Sequence, residues 1–336
     1  MIFLEILVAI FVGFLVYKFI LLPSFSNKKI ALSQIPDSFH DIFTKFNNLD
    51  FSEILSIKKK LLFYTVLGIL CFVLLLFTFI FTYLNSFNMA FSIIPALALL
   101  IVIVMFLLEF KKFRVKYSNV IERFIQLINI DLSYNNISYE NEENYYQSAY
   151  FDNLELKSLI TKDTISGYTK ENHKFYASNI VATSTTENVF NGIFATVILD
   201  KAVPSYTKIN TENLEYNTSY ALGATNSLLK YIEMDNSDFN KVLHVYSNNR
   251  LNTHEILTSD ILDYLTEFYK KYNVNFQIVF SGNYVYFRFF INQLFTPSFM
   301  GNLFNENNFA LCYIIITFIL DIITKISSNI DRKSVV

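Results

Sequence analysis

Hydrophobic positions along this chain gather into long uninterrupted runs at its start and at its end, with alternating and mixed patterns between. Residues 61–84, LLFYTVLGILCFVLLLFTFIFTYL, hold 24 positions without a charge. At about 1.5 Å per residue such a helix covers about 36 Å, enough for a hydrocarbon core of about 30 Å with some tilt. Residues 91–110 repeat the pattern with Glu109 at the very end, and NSFNMA (85–90) reads as a short uncharged turn. The pair is a predicted transmembrane hairpin. Pro95 falls near the first turn of its helix, where a missing N–H costs little. Residues 2–22 form a further expected span, with Glu5 and Lys18 close enough to its ends to reach the headgroups. That run has no basic n-region and no small-residue cleavage pattern, so an uncleaved anchor is expected rather than a signal peptide.

The segment 37–60 reads as helical. Asp37 follows Pro36 as an N-cap, Phe39, Ile42, Phe43 and Phe46 recur at helical spacing, and Asn47-Asn48 interrupts the run. Residues 111–132 continue the hairpin's second helix with an apolar stripe of Val120, Ile121, Phe124, Ile125 and Ile128. Its expected partner is the 37–60 segment, since a coiled-coil dimer would need a longer heptad pattern. From residue 133 the composition shifts to Asn, Tyr, Glu and Ser, and 135–147 reads as a loop. Strands are expected at 178–184, 188–199, 227–234 and 242–247. VNFQIVF (274–280) and YVYFRFFI (284–291) flank Ser281-Gly282-Asn283 as a hairpin. Residues 259–272 form an amphipathic helix with Ser259 as N-cap and Lys270 and Lys271 in the last turn. The run 309–326 carries Asp321 and Lys325, and its uninterrupted apolar part is only twelve residues. A helix packed in a core is therefore expected there in preference to a fourth span.

The expected architecture is an α+β cytoplasmic domain on an α-helical membrane anchor of three transmembrane helices. Its parts are the N-terminal anchor 1–22, a cytoplasmic helical segment 23–60, the membrane hairpin 61–110, a helical extension 111–132 and the α+β domain 133–336. The orientation follows from Lys and Arg placement. Lys28, Lys29, Lys45, Lys58, Lys59 and Lys60 lie between the first two spans, and Lys111, Lys112, Arg114 and Lys116 follow the third. The 85–90 turn has none. Both basic sides are expected in the cytoplasm, giving a multi-pass protein of the plasma (inner) membrane.

Composition narrows the chemistry. Charged residues are 17% of the chain and mean hydropathy is +0.34. After residue 110 there are 20 basic and 23 acidic side chains, so nucleic acid is not an expected partner. The many Phe and Tyr, with no Trp and seven Gly, read as codon bias from an A/T-rich genome. Cys71 and Cys312 cannot form a disulfide framework or a four-thiolate zinc site. His254-Glu255 lacks a second His four residues away, so the zinc-protease spacing fails. His40, His173 and His244 are scattered, and His244 in a strand reads as structural. There is no G-x-S-x-G elbow, P-loop or dinucleotide fingerprint. Gly167 and Gly192 read as turn or close-packing positions. Asp235/Asp238 and Asp260/Asp263 could pair for acid–base work, but Asp260 and Asp263 belong to a helix start, where acids are favoured. Glu140, Glu142 and Glu143 read as a solvated cluster. The sequons at Asn136 and Asn217 carry no message in a cytoplasmic domain. No catalytic residue, cofactor or metal ligand is assigned. The basic collar of Lys58, Lys59, Lys60, Lys111, Lys112, Arg114 and Lys116 is expected to set topology and to contact membrane lipids.

Seven short phrases stand in an order that resembles a bacterial family named domain of unknown function 3137. They are Ser148-Ala-Tyr-Phe151, Asp163-Thr-Ile-Ser-Gly167, Phe190-Asn-Gly-Ile-Phe194, Met234-Asp-Asn-Ser-Asp-Phe239, Val245-Tyr-Ser247, His254-Glu-Ile-Leu-Thr258 and Leu294-Phe-Thr-Pro297. The likeness covers roughly 130–330, and a preceding membrane hairpin is also typical of the family. The chain departs at 248–254, Asn-Asn-Arg-Leu-Asn-Thr-His, where family members often carry more charge. The resemblance implies an α+β cytoplasmic domain on a membrane hairpin and no established activity. The expected role is a membrane-tethered interaction or scaffolding module with a protein partner or self-association. The competing expectation is a membrane-bound enzyme with a site of dispersed polar residues, His254, Glu255 and Asp163 first among them. A lipid-handling role through the basic collar is a third.

Overall fold

The computed structural model describes residues 34–85, 92–135, 139, 141–151, 156–184, 188–211, 229–291 and 302–333. The expected span 2–22, both sequons and Glu140 lie outside them. The chain divides into two compact units, one containing 45–121 and 302–304, the other 34–44, 122–291 and 305–333 of the described residues.

The first unit is built on two long helices, α2 (Ser52–Asn85) and α3 (Ile93–Ile128). They follow α1 (Asp37–Asn47), which ends at the expected Asn pair. The apolar sides of α2 and α3 meet along Cys71, Leu99 and Val102, and a Cβ on Gly68 would lie 3.6 Å from Val102. Most of the remaining apolar surface is bare: Phe63, Val66 and Ile101 are more than 60% exposed. In water that surface would be strongly unfavourable, and in a bilayer it is the solvated face. Thr65, Thr78 and Thr82 donate to carbonyls of their own helix, so they add no unpaired polar group to it.

The second unit is a seven-stranded antiparallel sheet with helices on both faces. Its strands are β1 (Leu132–Asn135), β2 (Ser158–Tyr168), β3 (Lys174–Thr183), β4 (Asn188–Thr211), β5 (Lys230–Ile232), β6 (Leu243–Ser247) and β7 (Phe276–Phe289). Between them lie α4 (Glu142–Phe151), the short α5 (Ser237–Asn240), α6 (Arg250–Ile256) and α7 (Ser259–Tyr272), with α8 (Glu306–Lys333) at the end. β7 folds back at the expected Ser281-Gly282-Asn283 tip. Straight, its residues would span about 46 Å, yet Phe290 N donates to Asn275 O at 3.0 Å and the Phe276 and Phe289 rings lie 6.2 Å apart.

This hairpin sits between two arms of β4. Ile193–Ile198 pair with Tyr284–Phe289, and Thr207–Asn210 pair with Gln277–Phe280. The connecting stretch crosses the tip, where Asn283 Nδ2 donates to Leu199 O at 3.0 Å and Val203 faces Gly282. Pro204 is tolerated in this irregular crossing, since it lacks a ladder N–H. β3, β2 and β1 extend the sheet beyond the first arm, β6 and β5 beyond the second. Gly192 marks a close approach: a Cβ there would lie 2.1 Å from Phe289 O. Gly192→Ala should therefore weaken the β4–β7 ladder and cost about 1–3 kcal/mol. Gly282, at φ 58 with open space around it, should cost less, about 1 kcal/mol. Thermal unfolding of the two variants side by side gives the ranking.

One face of the sheet packs under α4, with Tyr145 against Phe190 and Phe194 and Ile180, Ala182, Val279 and Tyr286 around them. The opposite face packs under α7 and α8. Phe318 of α8 lies 3.8 Å from Phe268, 5.4 Å from Phe276 and 5.9 Å from Phe289, measured between ring centres. Among the described residues, three helices are long and apolar enough to cross a membrane: 11% of the apolar window of α2 is buried, 17% of that of α3 and 72% of that of α8. The contrast bears out the core position expected for 309–326.

Three expectations change. Residues 142–147, read as loop, begin α4, because Tyr145 supplies an apolar anchor that a polar-looking segment hides. β1 and β2 were not expected: the alternation of β1 covers only Leu132–Asn135, and β2 is broken by a bulge between Lys162 and Ile165, with Asp163 at φ 53. The 37–60 segment does reach the 111–132 extension, through the Glu53–Lys116 pair, but the apolar stripe of α3 also meets the start of α8, where Phe124 lies edge-on to Phe309 at 4.6 Å. Phe309 also receives Phe43 of α1 at 6.0 Å.

Candidate functional site

The enzyme expectation named Asp163, His254 and Glu255. Asp163 occupies the β2 bulge, a left-handed position that Asp tolerates. Its carboxylate accepts from Tyr134 OH at 2.6 Å and Asn179 Nδ2 at 2.8 Å. Beside it is a cavity of about 20 Å³, the size of one water, also touched by Ser178 and Cys312. His254 lies on α6, with its Nδ1 3.8 Å from Asp235 and its Nε2 3.4 Å from Arg250 Nε. Tyr134 and Asn179 on one side, and Asp235 and Arg250 on the other, are separate sets. Asp163, His254 and Glu255 therefore form no common constellation among the described residues.

Asp235 and Asp238 are likewise not an acid–base pair. Asp238 takes hydrogen bonds from Lys241 and Lys270, which hold its carboxyl below the ordinary range. Asp263 accepts from Asn236 at 2.7 Å, and that Asn caps α5. His244 stands edge-on to Tyr231 at 5.9 Å, consistent with a packed histidine.

His173, one of the histidines scattered in sequence, stands in a polar cluster. It is buried in the β2–β3 turn, with Nε2 2.9 Å from Ser327 Oγ of α8 and Nδ1 3.7 Å from Asp200. Ser, His and Asp thus stand in the order of a hydrolase relay. Two features argue against that chemistry. The His–Asp separation is too long for a hydrogen bond, and Ser327 sits inside a helix whose N–H groups are committed to the preceding turn, leaving none to stabilise an oxyanion. Nearby, burial alone would raise the Glu171 carboxyl. A 2.6 Å hydrogen bond from Thr324 and another from Thr169 outweigh it and hold the group below its ordinary range. The cluster fastens α8 to the β2–β3 turn.

A second polar group lies under α4. Arg288 is 1% exposed. It donates to Gln277 across the hairpin and to Ser148 Oγ at 2.8 Å, and it lies 5.6 Å from the Tyr145 ring centre. Gln277 in turn donates to Asn210 at 2.8 Å. Phe194, Arg288, Gln277, Asn210 and His244 form one transverse row across the sheet, a relation only register reveals. An open groove of about 640 Å³ runs past Tyr146, Gln147, Tyr284, Tyr286 and the β7 tip, and among the described residues no charged side chain lines it.

The expected basic collar lies in the first unit. Lys116 pairs with Glu53 at 2.8 Å and Lys112 with Glu109 at 2.8 Å. Lys59, Lys60, Lys111 and Arg114 are exposed and make no ion pair among the described residues.

Residues 188–327 match the family described as "Protein of unknown function (DUF3137)". This segment of the chain belongs to that family. The DUF3137 match takes in both arms of β4, the β7 hairpin, α7 and most of α8, and five of the seven phrases. Those at 148–151 and 163–167 precede it. No curated protein matches the chain. Among solved structures, the mycobacterial trehalose monomycolate transport factor A aligns with 58% of this chain and 88% of its own at 7% identity, with a TM-score of 0.31.

Proposed function

We propose that the chain is a membrane-tethered interaction module. Its sheet domain is held on the cytoplasmic side of the plasma (inner) membrane and docks a protein partner or a second copy. The observation that carries this reading is the hairpin: two helices whose outward surface is apolar, with no Asp, Glu, His, Lys or Arg between Lys60 and Glu109. Ion and proton pathways place such groups near mid-bilayer, so the hairpin acts as an anchor. The Lys and Arg at one end, against an uncharged 85–90 turn at the other, favour the collar end inside. The buried Arg288 and the His173–Ser327 pair are bonded to neighbouring elements of the sheet domain, which favours recognition over chemistry.

The test is photo-cross-linking of the full chain in native membranes. Probes replace Leu251, Ile160 and Tyr231, which are 77%, 50% and 48% exposed. At least one site should give a discrete, reproducible adduct. Absence of any adduct from all three removes the interaction reading. A thiol probe at Leu251→Cys that labels intact cells from outside removes the orientation.

A further inference from the structure

We infer that the collar of the hairpin is a binding ring for the phosphates of anionic phospholipids. The inference rests on the anchor reading and adds a ligand to it. Two clusters far apart in sequence, Lys58–Lys60 and Lys111–Lys116, are brought to one level by the antiparallel pairing of α2 and α3. The contact between Gly68 and Val102 and the ion pair between Glu53 and Lys116 fix the register at two heights. Counting back from Gly68 to Lys59–Lys60 and forward from Val102 to Phe110–Lys111 covers the same number of turns. The collar therefore sits at one height, where the uncharged stretches of both helices end.

The directions of the charges decide what the collar binds. At this level the buried positions that mark the seam are Ile57 and Leu61 on α2 and Glu109, Phe113 and Tyr117 on α3. Lys59 and Lys111 each stand two residues from a seam position, about 200° around their helices, and so point away from the pair on opposite outer sides. Lys60 and Arg114 stand one residue from the seam, about 100° around. Lys60 lies on the flank marked by the Glu53–Lys116 pair, and Arg114 on the other. Four cations without an ion pair among the described residues thus surround the helix pair and diverge. A single soluble polyanion needs converging charges. A layer of phosphates enclosing the helices needs this arrangement. Glu53 and Glu109 are each bonded to a lysine of the collar, leaving the ring positive overall.

The test uses the full chain reconstituted in phosphatidylcholine bilayers doped with phosphatidylglycerol. Spin-labelled phosphatidylglycerol and phosphatidylcholine report which lipid is immobilised at the protein. The native chain should select phosphatidylglycerol about threefold, as expected for several cations at a lipid surface. The selectivity should fall towards parity in K59Q/K60Q/K111Q/R114Q and should survive in the charge-keeping K59R/K60R/K111R/R114K. Equal selectivity in the neutralised variant, its loss in the charge-keeping one, or none in the native chain would each overturn the ring. Phosphate that displaces the lipid better than chloride at matched ionic strength would also overturn it, by making the site one for a soluble anion. Resistance to alkaline extraction is read in parallel. A chain washed off the membrane sinks the anchor reading, whereas an inserted chain without lipid preference sinks the ring alone.

Discussion

Phe318→Ala should destabilise the sheet domain by about 3–5 kcal/mol, the range for deleting a fully buried aromatic ring. Phe318 is 1% exposed and joins three elements: Phe268 of α7, and Phe276 and Phe289 from the two arms of the β7 hairpin. Removing the ring leaves a cavity that side chains on two rigid layers cannot close. Cys312, buried on the same helix, offers a reporter in the full chain once Cys71 is replaced by Ser. Its thiol is reachable only when α8 lifts from the sheet, so its labelling rate follows the opening equilibrium. The variant should raise that rate by roughly two to four orders of magnitude. A change below about tenfold would mean that α8 is not held by this core. It would then reopen the choice between core helix and span that the length of the apolar run posed.

That choice shows how far the sequence could be read. The hairpin was plain because 24 uncharged positions in a row admit few other solutions. In composition α8 looks like a fourth span, and only the shortness of its apolar run and the presence of Asp321 and Lys325 pointed to a core. The structure gives those polar groups local work, with Tyr264 OH donating to Asp321 at 2.9 Å and Lys325 lying 5.5 Å from the same ring. The β7 hairpin was legible from Gly282 between two apolar runs. The second arm of β4 was not, because Pro204 and the five polar residues among 205–211 obscure its pattern. β2 was missed for a related reason, since the bulge at Asp163 breaks the alternation that marks a strand. The collar residues were legible as charges, but their common height and diverging directions depend on the register of α2 against α3. His173–Ser327, separated by 154 positions, left no local signal, and its discovery required the fold.

Arg288 is the harder case, because a buried charge can be removed in ways that cost very different amounts. Arg288→Ala should destabilise by about 3–5 kcal/mol, combining a cavity with the loss of two hydrogen bonds from a charged donor. Gln277 and Ser148 would keep their side chains but lose that donor in a site closed to water. Arg288→Met fills most of the volume and lifts the charge's desolvation cost, so its expected loss is smaller, about 1–3 kcal/mol. Arg288→Lys should fall nearer to Ala than to Met. The ammonium keeps a charge in the dry site but cannot span Gln277 and Ser148 as a planar fork does. Labelling of Cys312 gives all three values in one background. The order Ala and Lys above Met would identify the guanidinium as a geometric clamp between α4 and the two arms of β7. If Met proves the worst of the three, the charge itself is what the site requires. The transverse row through Gln277, Asn210 and His244 would then be better read as a buried electrostatic site than as a strut.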